Sequence, residues 1–108
     1  MKQLKFSEPL PGLILEGQKN STWRINDEKG IAAGDKISLC YNNGSEFAKA
    51  EVTRIKETIL ENLTLADKEG HEEFSSDEEM YRIYSKYYKT SVTPKTRVKI
   101  IKFKLLNK

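Results

Sequence analysis

Cysteine, histidine and tryptophan each occur once in the 108 residues, as Cys40, His71 and Trp23. A lone cysteine excludes an intramolecular disulfide and a cysteine-based zinc site. A lone histidine argues against a multi-histidine metal centre, and His71 beside Glu72 and Glu73 is too sparse a donor set to change that expectation. Long apolar runs are missing too. The longest are three residues, as in Leu13-Ile14-Leu15, so no segment is expected to span a bilayer. No basic start followed by an apolar stretch marks a signal peptide, and the expected location is the cytoplasm. No cofactor motif is present, and none is expected. What remains is 37% apolar and 32% charged, enough for one modest core, so residues 1–108 are read as a single domain.

Acidic residues are absent from the last quarter of the chain. Residues 1–79 hold all 16 acids and 10 bases, whereas residues 80–108 hold nine bases and none of the acids. A stripe of that kind is the electrostatic footprint of a phosphate-bearing partner. It is equally the pattern of a segment neutralised internally by the acidic stretch Asp67–Glu79.

The elements follow from patterning. Lys2-Gln3-Leu4-Lys5-Phe6 alternates polar and apolar, as a half-buried strand does. Ser7 is the expected N-cap of a short helix carrying Leu10, Leu13 and Ile14, which Gly17 ends in the left-handed conformation. Lys19–Ile25 and Lys36–Tyr41 have strand composition. Asn42-Asn43-Gly44-Ser45 predicts a type I′ hairpin, with a returning strand from Phe47 to Ile59 that breaks near Lys56. Thr64 with Asp67, and Ser75 or Ser76 with Glu78 or Glu79, have capping-box spacing and start two further helices. The second carries Met80, Ile83, Tyr84, Tyr87 and Tyr88 at helical spacing and is expected to break at Thr93-Pro94. In the last strand, Thr96–Leu105, the switch at Ile100-Ile101 predicts a bulge or burial on both faces. The sum is an α+β fold, a small, mostly antiparallel β-barrel of about five strands with two or three short helices.

One stretch stands apart. Gly17, Lys19, Thr22 and Arg24 form the run G-x-K-x-x-T-x-R across a helix-to-strand junction. With Gly34-Asp35, Leu63-Thr64, Lys68-Glu69-Gly70, Ser76–Met80 and the closing strand Val98–Leu105 in the same order, the chain resembles the ASCH domain family of the PUA-like superfamily along nearly its whole length. The resemblance implies a pseudobarrel with a cleft where the first helix meets the second strand. It also implies binding of RNA or of a nucleoside- or nucleotide-like ligand. One branch of small ASCH proteins consists of 4-acetylcytidine amidohydrolases, and its active-site lysine, threonine and glutamate match Lys19, Thr22 and Glu69 here.

The chemistry suits both uses. Lys19 can hold a phosphate or acyl oxygen, or act as a base if desolvated. Thr22 is a candidate nucleophile with Lys19 as activator, and Glu69 a candidate acid for the leaving amine. Arg24 offers a planar fork to a carboxylate, phosphate or base edge. In a regular strand, positions 19 and 22 point to opposite faces, so the two converge only if Lys19 lies in the turn after Gly17. Ser21, which shares parity with Lys19, is a rival hydroxyl. Lys19, Ser21, Thr22 and Arg24 are therefore the candidate ligand-binding residues. Trp23 is expected to pack in the core, with base stacking as the alternative. Tyr84, Tyr87 and Tyr88 are expected there too, with an RNA face shared with Lys86 and Lys89 as the alternative, and Cys40 is expected to be buried and inert.

Overall fold

A computed structural model of the chain describes residues 1–25, 29–71 and 73–106. The elements run β1 (Lys2–Phe6), α1 (Leu10–Leu15), β2 (Ser21–Arg24), β3 (Lys36–Tyr41), β4 (Glu46–Ile59), a 3₁₀ turn (Leu60–Asn62), α2 (Leu65–Lys68), α3 (Asp77–Tyr88) and β5 (Arg97–Leu105). One five-stranded sheet has the order β1-β3-β4-β5-β2. β1 pairs in parallel with β3, and every other pairing is antiparallel. The α+β class and the strand count agree with the patterning. The barrel is a half-barrel, with β1 and β2 as its two edges and an open seam between them.

The core has two parts, one on each face of β5. Ile101 and Phe103 join Leu4, Phe6, Ile14, Ile37, Leu39 and Val52 inside the half-barrel. Val98 and Ile100 join Trp23, Ile25, Leu60, Met80 and Val92 beneath α3. The Ile100-Ile101 switch is therefore burial on both faces rather than a bulge, since β5 runs in unbroken register along Arg54–Ile59 of β4. β3 is likewise buried through Ile37, Ser38, Leu39 and Cys40, because it lies inside the sheet between β1 and β4.

Several local expectations are corrected. Ser7 is not the N-cap of α1. Pro9 holds that position without a side-chain cap, while the Ser7 carbonyl accepts from Leu10 N and its hydroxyl accepts from Asn42. Pro11 in the first turn brings no N–H, so the turn has fewer orphan donors for a serine to satisfy. The β3–β4 connection is not a type I′ turn: Gly44 is at φ +91°, and Asn43 is not among the positive-φ residues. Gly44 N donates to Tyr41 O and Tyr41 N to Ser45 O, which makes a three-residue loop with glycine at its left-handed position. The irregularities in β4 fall at Phe47 and Thr53, not Lys56, since Leu39 pairs with Ala48 and Cys40 with Glu46, and Val52 with Phe103 and Arg54 with Lys102. β3 begins at Lys36, opposite Glu51, and the extra residue in β4 just beyond lets the sheet curl. Finally, α3 stops at Tyr88 with Lys89 in the left-handed conformation, ahead of Thr93-Pro94.

The two capping expectations hold. Thr64 and Asp67 form a reciprocal capping box on α2, and Ser76 caps α3 through Glu79 N. Asp67 is buried, and both its oxygens accept from Lys56 at 3.1 and 2.8 Å. Burial raises its pKa, but the hydrogen bonds from Lys56 and Thr64 outweigh that and hold it below the ordinary carboxylate value.

Arg82 and Glu79 form the one ion pair between the basic segment 80–108 and the acidic stretch Asp67–Glu79 among the described residues. Lys95 pairs instead with Glu61, and Lys102 donates to the Ala66 carbonyl. Lys108 lies outside the described residues.

Candidate functional site

The site begins with the way α1 ends. Gly17 sits at φ +83°, its N–H donates to Ile14 O, and Gln18 N donates to Leu13 O at 2.9 Å. This is a Schellman stop, and it turns the chain sharply. Lys19 N also donates to Leu13 O, so the lysine is placed by the stop and not by a strand. β2 starts only at Ser21. The parity objection to positions 19 and 22 therefore lapses, and Lys19 and Thr22 line one cavity.

That cavity, of about 160 Å³, lies at the open seam between β1 and β2, with α3 as its third wall. Lys5, Phe6 and Ser7 come from the β1 side, and Thr22, Trp23 and Arg24 from β2. His71, Phe74, Ile83, Tyr84, Tyr87 and Tyr88 close the opposite side. Residues of both parities in β2 share it because β2 is an edge strand whose second edge has no β partner.

The polar groups are held firmly. Lys19 is 3% exposed, and its Nζ donates to the Ser21 carbonyl at 2.6 Å. Thr22 is 5% exposed, and its Oγ1 accepts from Arg24 Nε at 3.1 Å. Arg24 then crosses the seam. Its Nη2 donates to the Lys5 carbonyl at 3.0 Å, and its guanidinium lies 4.8 Å above the Phe6 ring. Ser21 is fully buried and does not line the cavity, and its hydroxyl has no partner among the described residues.

The opposite wall is an aromatic nest. Trp23 stacks on His71 with ring centroids 3.7 Å apart and an interplanar angle of 12°. Phe74 and Tyr84 flank that pair, and Tyr88 stacks on Tyr84. His71 Nε2 and Tyr84 Oη are 3.3 Å apart, and Tyr88 Oη accepts from Ile25 N. Trp23 Nε1 is buried without a partner among the described residues. Trp23 packs in the core as expected, and it does so while forming a wall of the cavity. The tyrosines divide: Tyr84 and Tyr88 pack on the second core, whereas Tyr87 is 54% exposed at the cavity rim.

Glu69 is not brought to this cavity. It is exposed just after α2 and lines the two adjoining grooves, one of them beyond the wall made by Trp23, His71 and Phe74. His71 occupies the place facing Lys19 and Thr22 instead, and Gly70 fixes it there. The Gly70 carbonyl accepts from both Asn20 N and Ser21 N, which ties the loop after α2 to the start of β2. Sequence reasoning missed His71 as part of the site. Gly70, at φ +78° and packed against Asn20, marks the close approach of two chain segments but does not single out His71 from Glu69. Glu72 lies outside the described residues, and among those described no group of three His, Cys, Asp or Glu is placed to hold a metal ion. Cys40 is buried beside Ser38. Among the described residues, no helix is long and apolar enough to cross a membrane.

A scan against protein-family models finds no match, and a search of the curated proteins finds none. Solved structures do match. The protein PF0455 from Pyrococcus furiosus is 26% identical, with a TM-score of 0.67 over 99% of this chain and 98% of its own. A protein from Enterococcus faecalis in the family DUF984 is 16% identical, with a TM-score of 0.74 over 90% of this chain and 69% of its own. An ASCH domain from Lactobacillus crispatus is also 16% identical, with a TM-score of 0.66 over 88% of this chain and 69% of its own. The fold defines the class: a small α+β half-barrel of the PUA-like kind. More closely, it is the fold of the ASCH domains.

Proposed function

We propose that the chain is a small binding module that receives a base of RNA, or of a nucleotide-like ligand, in the seam cavity. The observation that carries this reading is the pairing of two surfaces across one opening. Lys19, Thr22 and Arg24 face a wall of stacked aromatic rings. Aromatic faces favour flat rings of any sequence, and the cations favour the phosphate or polar edge attached to them. The cavity volume of about 160 Å³ is below the roughly 300–1,000 Å³ of drug-sized sites, so it suits one ring system with the rest of the ligand outside. Lys5, exposed at the rim, and Lys86 and Lys89 at the end of α3 supply charge for a backbone lying outside.

The test is a titration with short single-stranded RNA, followed through the fluorescence of the single tryptophan, Trp23. Affinity should fall steeply as salt rises, because phosphate contacts release counterions. Lys19→Ala and Arg24→Ala should each weaken binding about tenfold or more, as the loss of a charge-assisted contact does. Absence of binding at low salt overturns the reading.

A second reading is favoured by the presence of Lys19 and Thr22 in the same cavity. Here the chain removes the acyl group from an acylated cytidine, with Thr22 as nucleophile, Lys19 as base and Glu69 as acid. Glu69 would have to reach the leaving amine from the adjoining groove. Release of acetate from 4-acetylcytidine, lost in Thr22→Ala and Lys19→Ala, supports it, and no turnover by the wild type ends it.

A further inference from the structure

The charged groups around the seam cavity are unbalanced, and the lining groups able to accept are the hydroxyls of Ser7, Thr22 and the tyrosines and the His71 ring. Lys5, Lys19 and Arg24 are donors only, and among the described residues neither a carboxylate nor a carboxamide lines the cavity. The carboxylates nearby, Glu69, Glu73 and Asp77, line the groove on the far side of Trp23, His71 and Phe74. The acceptors next to the cations already serve the protein. The Ser21 carbonyl accepts from Lys19, the Lys5 carbonyl from Arg24 Nη2, and the Thr22 hydroxyl from Arg24 Nε. The hydrogens of Arg24 Nη1 and the second Nη2 hydrogen have no partner among the described residues. The same two bonds, with the Phe6 ring beneath, fix the guanidinium plane before any ligand arrives.

Resting on the reading that the cavity takes a base, we infer that it turns the 4-position of a pyrimidine to Arg24 and so selects a carbonyl there over an amino group, uracil over cytosine. A carbonyl oxygen turned to the guanidinium accepts from a donor already in place. An amino group in the same position sets N–H against N–H and leaves a desolvated donor without a partner. Arg24 is then the residue that determines specificity.

Uridine and cytidine 5′-monophosphates test this by calorimetry with the intact chain. They share sugar and phosphate and differ along one edge of the ring, O4 and N3–H in uracil against an N4 amino group and a bare N3 in cytosine, so the phosphate contribution cancels in their ratio. The uridine nucleotide should bind about ten- to a hundredfold more tightly, the penalty for one unsatisfied buried group. Arg24→Lys keeps the charge and loses the planar fork, and should bring the ratio to within about threefold while both nucleotides still bind. A thermal melt establishes that the variant is folded, and the wild-type ratio stands without it. Equal affinities, or a tighter cytidine nucleotide, overturn the selection and leave base binding intact. Binding of neither nucleotide overturns the reading on which the selection rests.

Discussion

Gly70→Ala should damage the protein far more than one added methyl group suggests. Gly70 lies at φ +78°, and a Cβ built there falls 1.8 Å from Asn20 Oδ1 and 2.9 Å from Asn20 Cγ. Two costs follow. Holding an alanine in the left-handed region costs about 1–2 kcal/mol. Overlap with Asn20 adds about 1 kcal/mol, the low end for overpacking, because Asn20 is exposed and its amide can swing outward. The sum of about 2–3 kcal/mol corresponds to a fall in melting temperature of roughly 8–12 °C for a domain of this size. The double variant Asn20→Ala/Gly70→Ala removes the overlap but not the backbone strain, so it should recover about 1 kcal/mol over Gly70→Ala, measured against Asn20→Ala alone. The assay is urea denaturation with thermal melts on the four proteins. A single variant melting within about 2 °C of wild type refutes the argument that Gly70 is the pin between the α2 loop and β2.

Asp67→Asn removes a buried carboxylate that holds Lys56 and caps α2, and should cost about 1–3 kcal/mol at neutral pH by denaturant unfolding. The native pKa of Asp67 is below its ordinary 3.8, so its contribution is complete above that value and is lost as pH falls through the native pKa. Wild type should therefore lose its advantage over Asp67→Asn in acid below about pH 3.8, and an advantage that stays constant down to full acid unfolding contradicts the assignment. Ser76→Ala should cost about 1 kcal/mol through loss of the α3 cap, while Ser76→Asp should be nearly neutral. The Cys40 thiol should react with a disulfide reagent only after denaturant is added, and rapid labelling of the native chain would contradict its burial.

The framework was legible where a local rule and the global packing agree. β3 came out with the bounds expected, and Thr64 and Ser76 cap the helices they were read as starting. Gly17 stops α1 because its left-handed conformation is a local property that tertiary contacts do not override. The misses occur where two rules compete. Asn42-Asn43-Gly44 permits several loops, and the register of β3 against β4 selects the one with a single left-handed residue. Ser7 is a good cap by identity, yet prolines at 9 and 11 and the neighbouring Asn42 make other use of it. The bulge at Thr53 depends on where β3 begins, which is a property of another strand.

The candidate site divides along the same line. Lys19, Thr22 and Arg24 lie within one short run, and a single Schellman turn followed by an edge strand is enough to bring them to one opening. The opposite wall depends on residues some fifty to sixty-five positions later in the chain, joined to β2 and its end through the Gly70 carbonyl, the Trp23–His71 stack, the Ile25 N–Tyr88 Oη hydrogen bond and the packing of α3. No local pattern distinguishes His71 stacked on Trp23 from Glu69 two residues earlier, since both lie in the segment after α2. The choice is made by burial. His71 is 8% exposed against the rings of Trp23 and Tyr84, whereas Glu69 stays in water, which spares its carboxylate a desolvation cost of several kcal/mol. Among the described residues the acids line the outer groove, and the cavity holds Lys5, Lys19 and Arg24 beside hydroxyls and rings. On the proposed reading, that segregation leaves Arg24, fixed by Thr22 and Lys5, as the group that meets a ligand's polar edge.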